Sequence, residues 1–189
     1  MIKLVLPVVA SATLCWAAGA HAADSYPVRP IRLIVPFSAG GAADIIARLM
    51  AGNMSKTLHT QIVVDTRPGA GTVLGTDIAA HSSPDGYTLV LVATAHSTNP
   101  GLVGKLPYDS LKDFSPITLA VDTPLVIVVP SALPVTNLRG LIDLAKDKPQ
   151  RINYGSAGQG TSGHLAMELL SFKTGVKLTH IPYKGASQA

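Results

Sequence analysis

The chain has 189 residues, 47% of them apolar and only 5% aromatic, with a formal charge of +4 at neutral pH. Its 15 Lys and Arg are scattered without a run or stripe, and so few aromatic rings offer no platform for stacked bases; nucleic acid is therefore excluded as the expected partner. The one cysteine, Cys15, falls in a leader-like N-terminus, so disulfides, thiolate catalysis and cysteine-based metal sites are not expected in the remainder.

Residues 1–22 read as a secretory signal peptide. Lys3 supplies the positive start, Leu4 to Ala18 the apolar run, and Ala20-His21-Ala22 a small-x-small cleavage site, with cleavage expected after Ala22. Pro7, Ser11 and Thr13 interrupt that run, which falls short of the roughly 20 apolar residues that span a bilayer. Leu14 and Ala12 ahead of Cys15 make a poor lipoprotein signal. The chain beyond the leader has the length of one large or two small domains.

Strand and helix signals then alternate. After a Pro-bearing lead-in from Asp24 to Pro30, Ile31–Val35 is a predicted strand. Ala43 to His59 is a predicted helix with Ile46, Met50, Met54 and Leu58 on one face, flanked by Ile45 and Leu49. A strand at Ile62–Asp65, a turn at Arg67-Pro68-Gly69-Ala70-Gly71 and a helix from Val73 to His81 come next. Pro84-Asp85-Gly86 is a tight-turn signature before a strand at Thr88–Ala93. Asn99 to Pro116 carries three prolines and two glycines without periodicity, and is read as a bridge between two lobes. Beyond it, strands are expected at Ile117–Val121 and Leu125–Val129, the second nearly all β-branched like a buried central strand. A helix over Asn137 to Asp147, with Asn137 as N-cap, turns Leu138, Leu141, Ile142 and Ala145 inward. A strand at Asn153–Ser156, a helix at Thr161–Thr174 and a strand at Lys177–Ile181 complete the pattern. Apolar strands alternating with helices predict an α/β fold with parallel sheets, whose ligands sit at the C-terminal ends of the strands.

Two strand-to-helix turns carry the functional signal. Ser38-Ala39-Gly40-Gly41-Ala42-Ala43-Asp44 follows the first strand, and Gly155-Ser156-Ala157-Gly158-Gln159-Gly160-Thr161-Ser162 follows the later one. A small-residue turn that opens a helix leaves amide N–H groups unpaired at the positive end of the helix dipole, a seat for an anion or an ordered water. Two such turns predict a cleft that grips a small anionic ligand from both sides. Asp44 in the first turn has an ordinary use too, complementing the helix dipole for roughly 0.3–1 kcal/mol. Arg67 could offer a guanidinium to an anion, or simply stand in a structural turn fixed by Pro68 and its glycines. Thr94-Ala95-His96-Ser97-Thr98-Asn99 is a hydroxyl- and amide-rich loop suited to line a site, as an ordinary capped loop would also be.

Other chemistries fit poorly. Gly158-x-Gly160-x-x-Gly163 matches the dinucleotide fingerprint, but no acidic residue follows Glu168 to hold a ribose. Neither Ser156 nor Ser162 sits in a Gly-x-Ser-x-Gly frame, although Ser162 beside His164 keeps a hydrolase as the competing reading. The histidines at 59, 81, 96, 164 and 180 form no i, i+3 or i, i+4 pair, so no metal site is expected.

In order along the chain, Tyr26-Pro27, Pro30-Ile31 through Pro36-Phe37, Ala39-Gly40-Gly41 with Asp44, and Arg67-Pro68-Gly69-Ala70-Gly71 together resemble the periplasmic solute-binding proteins of the tripartite tricarboxylate transporters, the Bug family. So do Pro84-Asp85-Gly86-Tyr87-Thr88-Leu89, Leu106-Pro107-Tyr108-Asp109, Asp113-Phe114, Ser156-x-Gly158-x-Gly160-Thr161 with His164-Leu165-Ala166, and Pro182-Tyr183-Lys184-Gly185. Thr66 and Thr72 depart from the usual Asn and Gly beside the Arg-Pro-Gly turn.

The resemblance implies a two-lobed Venus-flytrap fold of type II, expected to be incomplete at the C-terminus, with residues 23–115 in the first lobe and 116–189 in the second. It implies a monomer with no cofactor, no metal and no catalytic residue, handing a small carboxylate to membrane permease subunits. It implies that Phe37, Ser38, Ala39, Gly40, Gly41 and Asp44 hold one end of the ligand. Ser156, Gly158, Gly160, Thr161 and Ser162 would take a carboxylate, and Thr94, Ala95 and His96 would line the side. Family members continue further, so the chain alone is expected to leave its sheets partly uncovered, to be poorly stable and to bind weakly, or to be a non-functional remnant.

Overall fold

The computed structural model describes residues 26–149 and 151–189; the signal-peptide reading of residues 1–22 lies outside them. The first half is built on three parallel strands. β1 (Ile31–Val35) lies between β2 (Ile62–Thr66) and β3 (Thr88–Val90), with Leu33 opposite both Val64 and Leu89. Ile31, Leu33 and Val35 point to one face and pack with Phe37, Ile62, Ala47 and Ala51. Ile34 is fully buried on the other face, as the two-sided cover of a central parallel strand requires.

Helix α1 (Ala42–Leu58) lies on this sheet through Asp44, Ala47 and Ala51, with Met54 and Leu58 continuing the stripe. That contact is rotated from the expected Ile46, Met50, Met54, Leu58 face, and Ile45 and Leu49 are exposed. The small alanines let the helix axis approach the sheet closely, which larger side chains at the same positions would prevent. A 3-10 turn at Ala70–Thr72 leads into α2 (Val73–Ala80). Gly75 in α2 is required by close approach: a Cβ there would meet the Arg67 carbonyl at 2.6 Å and Pro36 at 3.0 Å.

The chain departs from the expected pattern in two places. The strand foreseen over Thr88–Ala93 ends at Val90, and the loop foreseen from Thr94 is helix α3 (Thr94–Leu102), with Pro100 inside it. Neither strand expected at Ile117–Val121 and Leu125–Val129 forms: residues 114–130 are neither helix nor strand. Leu119, Val126 and Val128 are each 80% exposed or more. β-branched content favours an extended chain, but a strand exists only where a neighbour takes its N–H and C=O groups, and none of the described residues does so here.

The second half contains α4 (Leu138–Asp147), then the parallel pair β4 (Asn153–Ser156) and β5 (Thr179–Pro182) joined through α5 (Ser162–Thr174). Asn137 caps α4 as expected, its Oδ1 accepting from the Gly140 amide at 2.9 Å. Leu141 and Ala145 are buried, whereas Leu138 is half-exposed. Gly175, left-handed at φ +72°, stops α5.

Candidate functional site

Three segments of sequence meet to build the site, and the first two are the glycine turns. In the first, Phe37 is buried in the core, which fixes where the chain leaves β1. Gly40 takes φ +76°, and its amide donates to Asp44 Oδ2 at 2.9 Å. Arg48, one turn further along α1, donates through Nε to the same oxygen at 3.1 Å. The Arg48 hydrogen bond, then the Gly40 amide, hold the Asp44 carboxyl below the usual aspartate range despite its burial. Asp44 thus faces inward and closes its own turn. Gly41 is the N-cap without a side-chain cap, and the amides of Ala42, Ala43 and Asp44 meet no acceptor among the described residues.

The second turn is knotted around Ser156. Its buried hydroxyl accepts from the Gly158 amide at 3.1 Å, lies 3.0 Å from the Gly158 carbonyl, and lies 2.7 Å from His180 Nε2. Thr161 Oγ1 donates to the same carbonyl at 2.7 Å. Gly160 donates its amide to His164 Nδ1 at 3.2 Å, which assigns the imidazole proton to Nε2. The amides of Ser162, Gly163 and His164 meet no acceptor among the described residues. His164 and His180 stack at 4.1 Å between centroids, with Tyr154 on the other side of His180 at 4.9 Å. Burial and the Glu168 carboxylate, which accepts from Tyr154 Oη at 2.6 Å, push the Tyr154 hydroxyl up. Burial, then the neighbouring His164, pull His180 down.

The competing hydrolase arrangement is not assembled. His164 Nδ1 is taken by the Gly160 amide rather than by Ser162. The pair that does form, Ser156 with His180, has its hydroxyl buried and already engaged twice by Gly158.

The third segment, Tyr183–Ser187, ties the two turns together. Tyr183 donates its amide to the Ser156 carbonyl at 3.0 Å, and the next residue, Lys184, accepts from the Ser38 amide at 3.2 Å. Gly185 lies so close to Ser38 that a Cβ there would stand 1.9 Å from Ser38 Oγ. Helix α3 adds a second bridge: Thr98 Oγ1 donates to the Gly160 carbonyl at 2.8 Å, and Asn99 Nδ2 to the Gly71 carbonyl at 3.0 Å.

At this seam lies a cavity of about 290 Å³. Ala70, Gly71, Asn99, Leu102 and Val103 wall it on one side, with Gly158, Gln159 and Pro182–Lys184 on the other. Of the residues foreseen for the site, only Gly158 lines it. Ser38 reaches Lys184 through its amide, Gly40 is tied to Asp44, and the carbonyl of the exposed Ala39 accepts from Ser187 Oγ at 3.5 Å. Ala95 is buried and Thr94 exposed in α3. His96 turns elsewhere, donating from Nε2 to the Ser110 carbonyl at 2.9 Å and packing on Tyr108 and Phe114. Its motif neighbours Leu106-Pro107-Tyr108-Asp109 and Asp113-Phe114 thus form the anchor for that ring. Arg67 pairs with Asp65 at 2.9 Å instead of facing the seam. Asn99 and Gln159 fall in segments read as candidate site loops, though neither was singled out; Leu102, Val103 and Lys184 were not foreseen, and the Pro182-Tyr183-Lys184-Gly185 motif pointed only to Lys184.

Parallel sheets whose C-terminal loops meet across a seam define the class of two-lobed periplasmic binding proteins. The structure of the periplasmic binding protein BugD superposes with a TM-score of 0.82 at 38% identity, covering 86% of this chain and 55% of that one. MatC from Rhodopseudomonas palustris, with bound malate, superposes at 0.78 and 32% identity, covering 85% and 55%. Protein BugT of Bordetella pertussis is 40% identical over 169 residues, which is 88% of this chain and 52% of that protein. Residues 46–189 match the family described as TctC, tripartite tricarboxylate transporter family receptor, and the chain belongs to it. The chain spans about half the length of the curated relatives it matches.

Proposed function

We propose that this chain captures a small carboxylate in the periplasm for a tripartite tricarboxylate-type uptake system and passes it to the membrane permease subunits, without catalysing a reaction. Export through a leader cleaved after Ala22 belongs to the same reading, as does a division into a first lobe at 23–115 and a second at 116–189. The observation that carries it is the seam: Tyr183 and Lys184, adjacent in sequence, bond to Ser156 of one glycine turn and Ser38 of the other. Both turns, each opening a helix with uncapped amides, are thereby tied to one short segment, which supports the reading because such amides favour an anion. Ser38, Gly40, Gly41, Ser156, Gly158, Gly160, Thr161 and Ser162 supply that face. Phe37 and Asp44 set its shape from behind, and Ala39, Thr94 and Ala95 border it; His96, expected as a side wall, takes no part because its ring packs on Tyr108 and Phe114. The bound malate of MatC supports a carboxylate as the ligand.

Isothermal titration of the 189-residue chain against mono-, di- and tricarboxylates tests the reading. Saturable binding of at least one acid is expected, weakened tenfold or more in Gly185→Ala, because the added Cβ drives Ser38 away from Lys184. Absence of binding by every acid in a chain that unfolds cooperatively would refute it.

A further inference from the structure

The second glycine turn is braced by two imidazoles, and one of them can do so only while its Nδ1 is unprotonated. Gly160, buried and at φ +76°, is fixed from both sides. Its carbonyl accepts from Thr98 Oγ1 at 2.8 Å, and its amide donates to His164 Nδ1 at 3.2 Å. A ring nitrogen accepts through its lone pair, which is lost when that nitrogen takes a proton. An imidazolium would turn an N–H toward the Gly160 N–H, and two donors facing each other make no bond. Gly160 lies between Gly158, bonded to Ser156, and Thr161, bonded to the Gly158 carbonyl, so its displacement is felt across the turn.

Three titratable groups face the His164 ring, whose side chain is 14% exposed and so within reach of a proton from solvent. His180 of β5 stacks on it at 4.1 Å, and Glu168 of its own helix stands 4.0 Å from Nε2. Tyr154 of β4 lies behind both, stacked on His180 and donating to Glu168 at 2.6 Å. From α3 only the uncharged Thr98 reaches the turn. Burial, then Glu168, keep the Tyr154 hydroxyl protonated. Burial, then His164, pull His180 down, so His180 is not the ring that takes the first proton. Histidine is the side chain whose charge changes between about pH 5 and 8.

We infer that His164 is a positioning residue whose protonation unlocks the second glycine turn, so that the chain holds its carboxylate at neutral pH and releases it as the medium acidifies. One proton enters from solvent at Nδ1, and the hydrogen bond from the Gly160 amide is the one that breaks. The inference rests on the reading of this turn as a carboxylate seat and adds the regulation of that site. Asparagine is the informative replacement: its Oδ1 stands as many bonds from the backbone as Nδ1, accepts a hydrogen bond and does not titrate.

The test uses the 189-residue chain and its His164→Asn and His164→Ala variants at pH 8.0 and 5.5. Amide exchange at Gly160, corrected for the intrinsic effect of pH, reads the turn without a ligand. Wild type should lose about tenfold in protection on acidification, the loss of one hydrogen bond. His164→Asn should stay protected at both values, and His164→Ala should be unprotected at both. Calorimetry with malate, succinate and benzoate then reads the site, and comparison with His164→Asn cancels the protonation of the acids themselves. Wild type should weaken about tenfold more than His164→Asn between the two pH values. Gly160 exchanging alike at both, a pH dependence kept in full by His164→Asn, or tighter binding in acid overturns the inference and leaves the carboxylate receptor standing. Failure of all three acids to bind, while Gly160 still responds to pH, overturns the receptor reading and the release together.

Discussion

Asp44 shows how one side chain can be recruited to shape rather than to contact. Its carboxylate accepts from the Gly40 amide and from Arg48, so the glycine turn is closed by its own last residue. Asp44→Ala should cost about 1–2 kcal/mol in urea unfolding, the usual loss for a helix-terminal acceptor. The stability owed to its depressed pKa is complete above the ordinary aspartate value and is lost as pH falls through the lower folded value. The contribution of His180 disappears in a different window. Burial and His164 keep it neutral in the fold, so the unfolded chain takes up its proton first. Stability from this group is full above about pH 6.5 and declines as pH falls toward the lowered folded value. Midpoints of urea unfolding followed from pH 7.5 to 5 should fall less steeply in His180→Asn than in wild type; equal slopes would remove His180 from the account. Gly160 is a position where conformation and space agree: it sits at φ +76°, and a Cβ would lie 3.1 Å from Asn99 Oδ1, Leu102 and Thr98 Oγ1. Gly160→Ala should destabilise by about 1–3 kcal/mol through left-handed strain and crowding.

At the scale of elements, α1 separates contact from hydrophobicity. Ala47 is fully buried against the sheet while Leu49 is 66% exposed. Ala47→Leu should therefore lower the urea midpoint by the equivalent of about 1–3 kcal/mol, and Leu49→Lys should change it by less than about 0.5 kcal/mol. The opposite ranking would place the helix on its larger apolar side chains. The same logic explains the N-terminal motif. Tyr26 donates to the Gly86 carbonyl at 2.7 Å, and Arg29 pairs with Asp85 at 2.7 Å while lying over the Tyr87 ring. Two motifs sixty residues apart are thus a single clasp at the N-terminal ends of β1 and β3.

For the whole molecule, the consequence of unpaired apolar chain is solubility. Residues 125–129 are apolar, β-branched from Val126 onward and exposed, which is the composition of an aggregation-prone segment. Val126→Lys with Val128→Lys should reduce concentration-dependent light scattering and leave the thermal midpoint unchanged, since neither side chain is packed. A lowered midpoint would mean that the segment is buried in solution.

The amino-acid sequence by itself determined the α/β class, most of the elements outside residues 91–130 and the capping of α4, because periodicity, Asn137 and the glycine turns are local signals. It also pointed through ordered motifs to the receptor family. Only the tertiary structure decided which face of α1 packs, that residues 114–130 lack a sheet partner, and that His96 turns toward Tyr108 and Phe114. It alone placed Asn99, Leu102 and Lys184 around one cavity. Pairing, helix rotation and the convergence of distant side chains depend on what lies across from a residue, and no stretch of chain carries that information about its own neighbours in space.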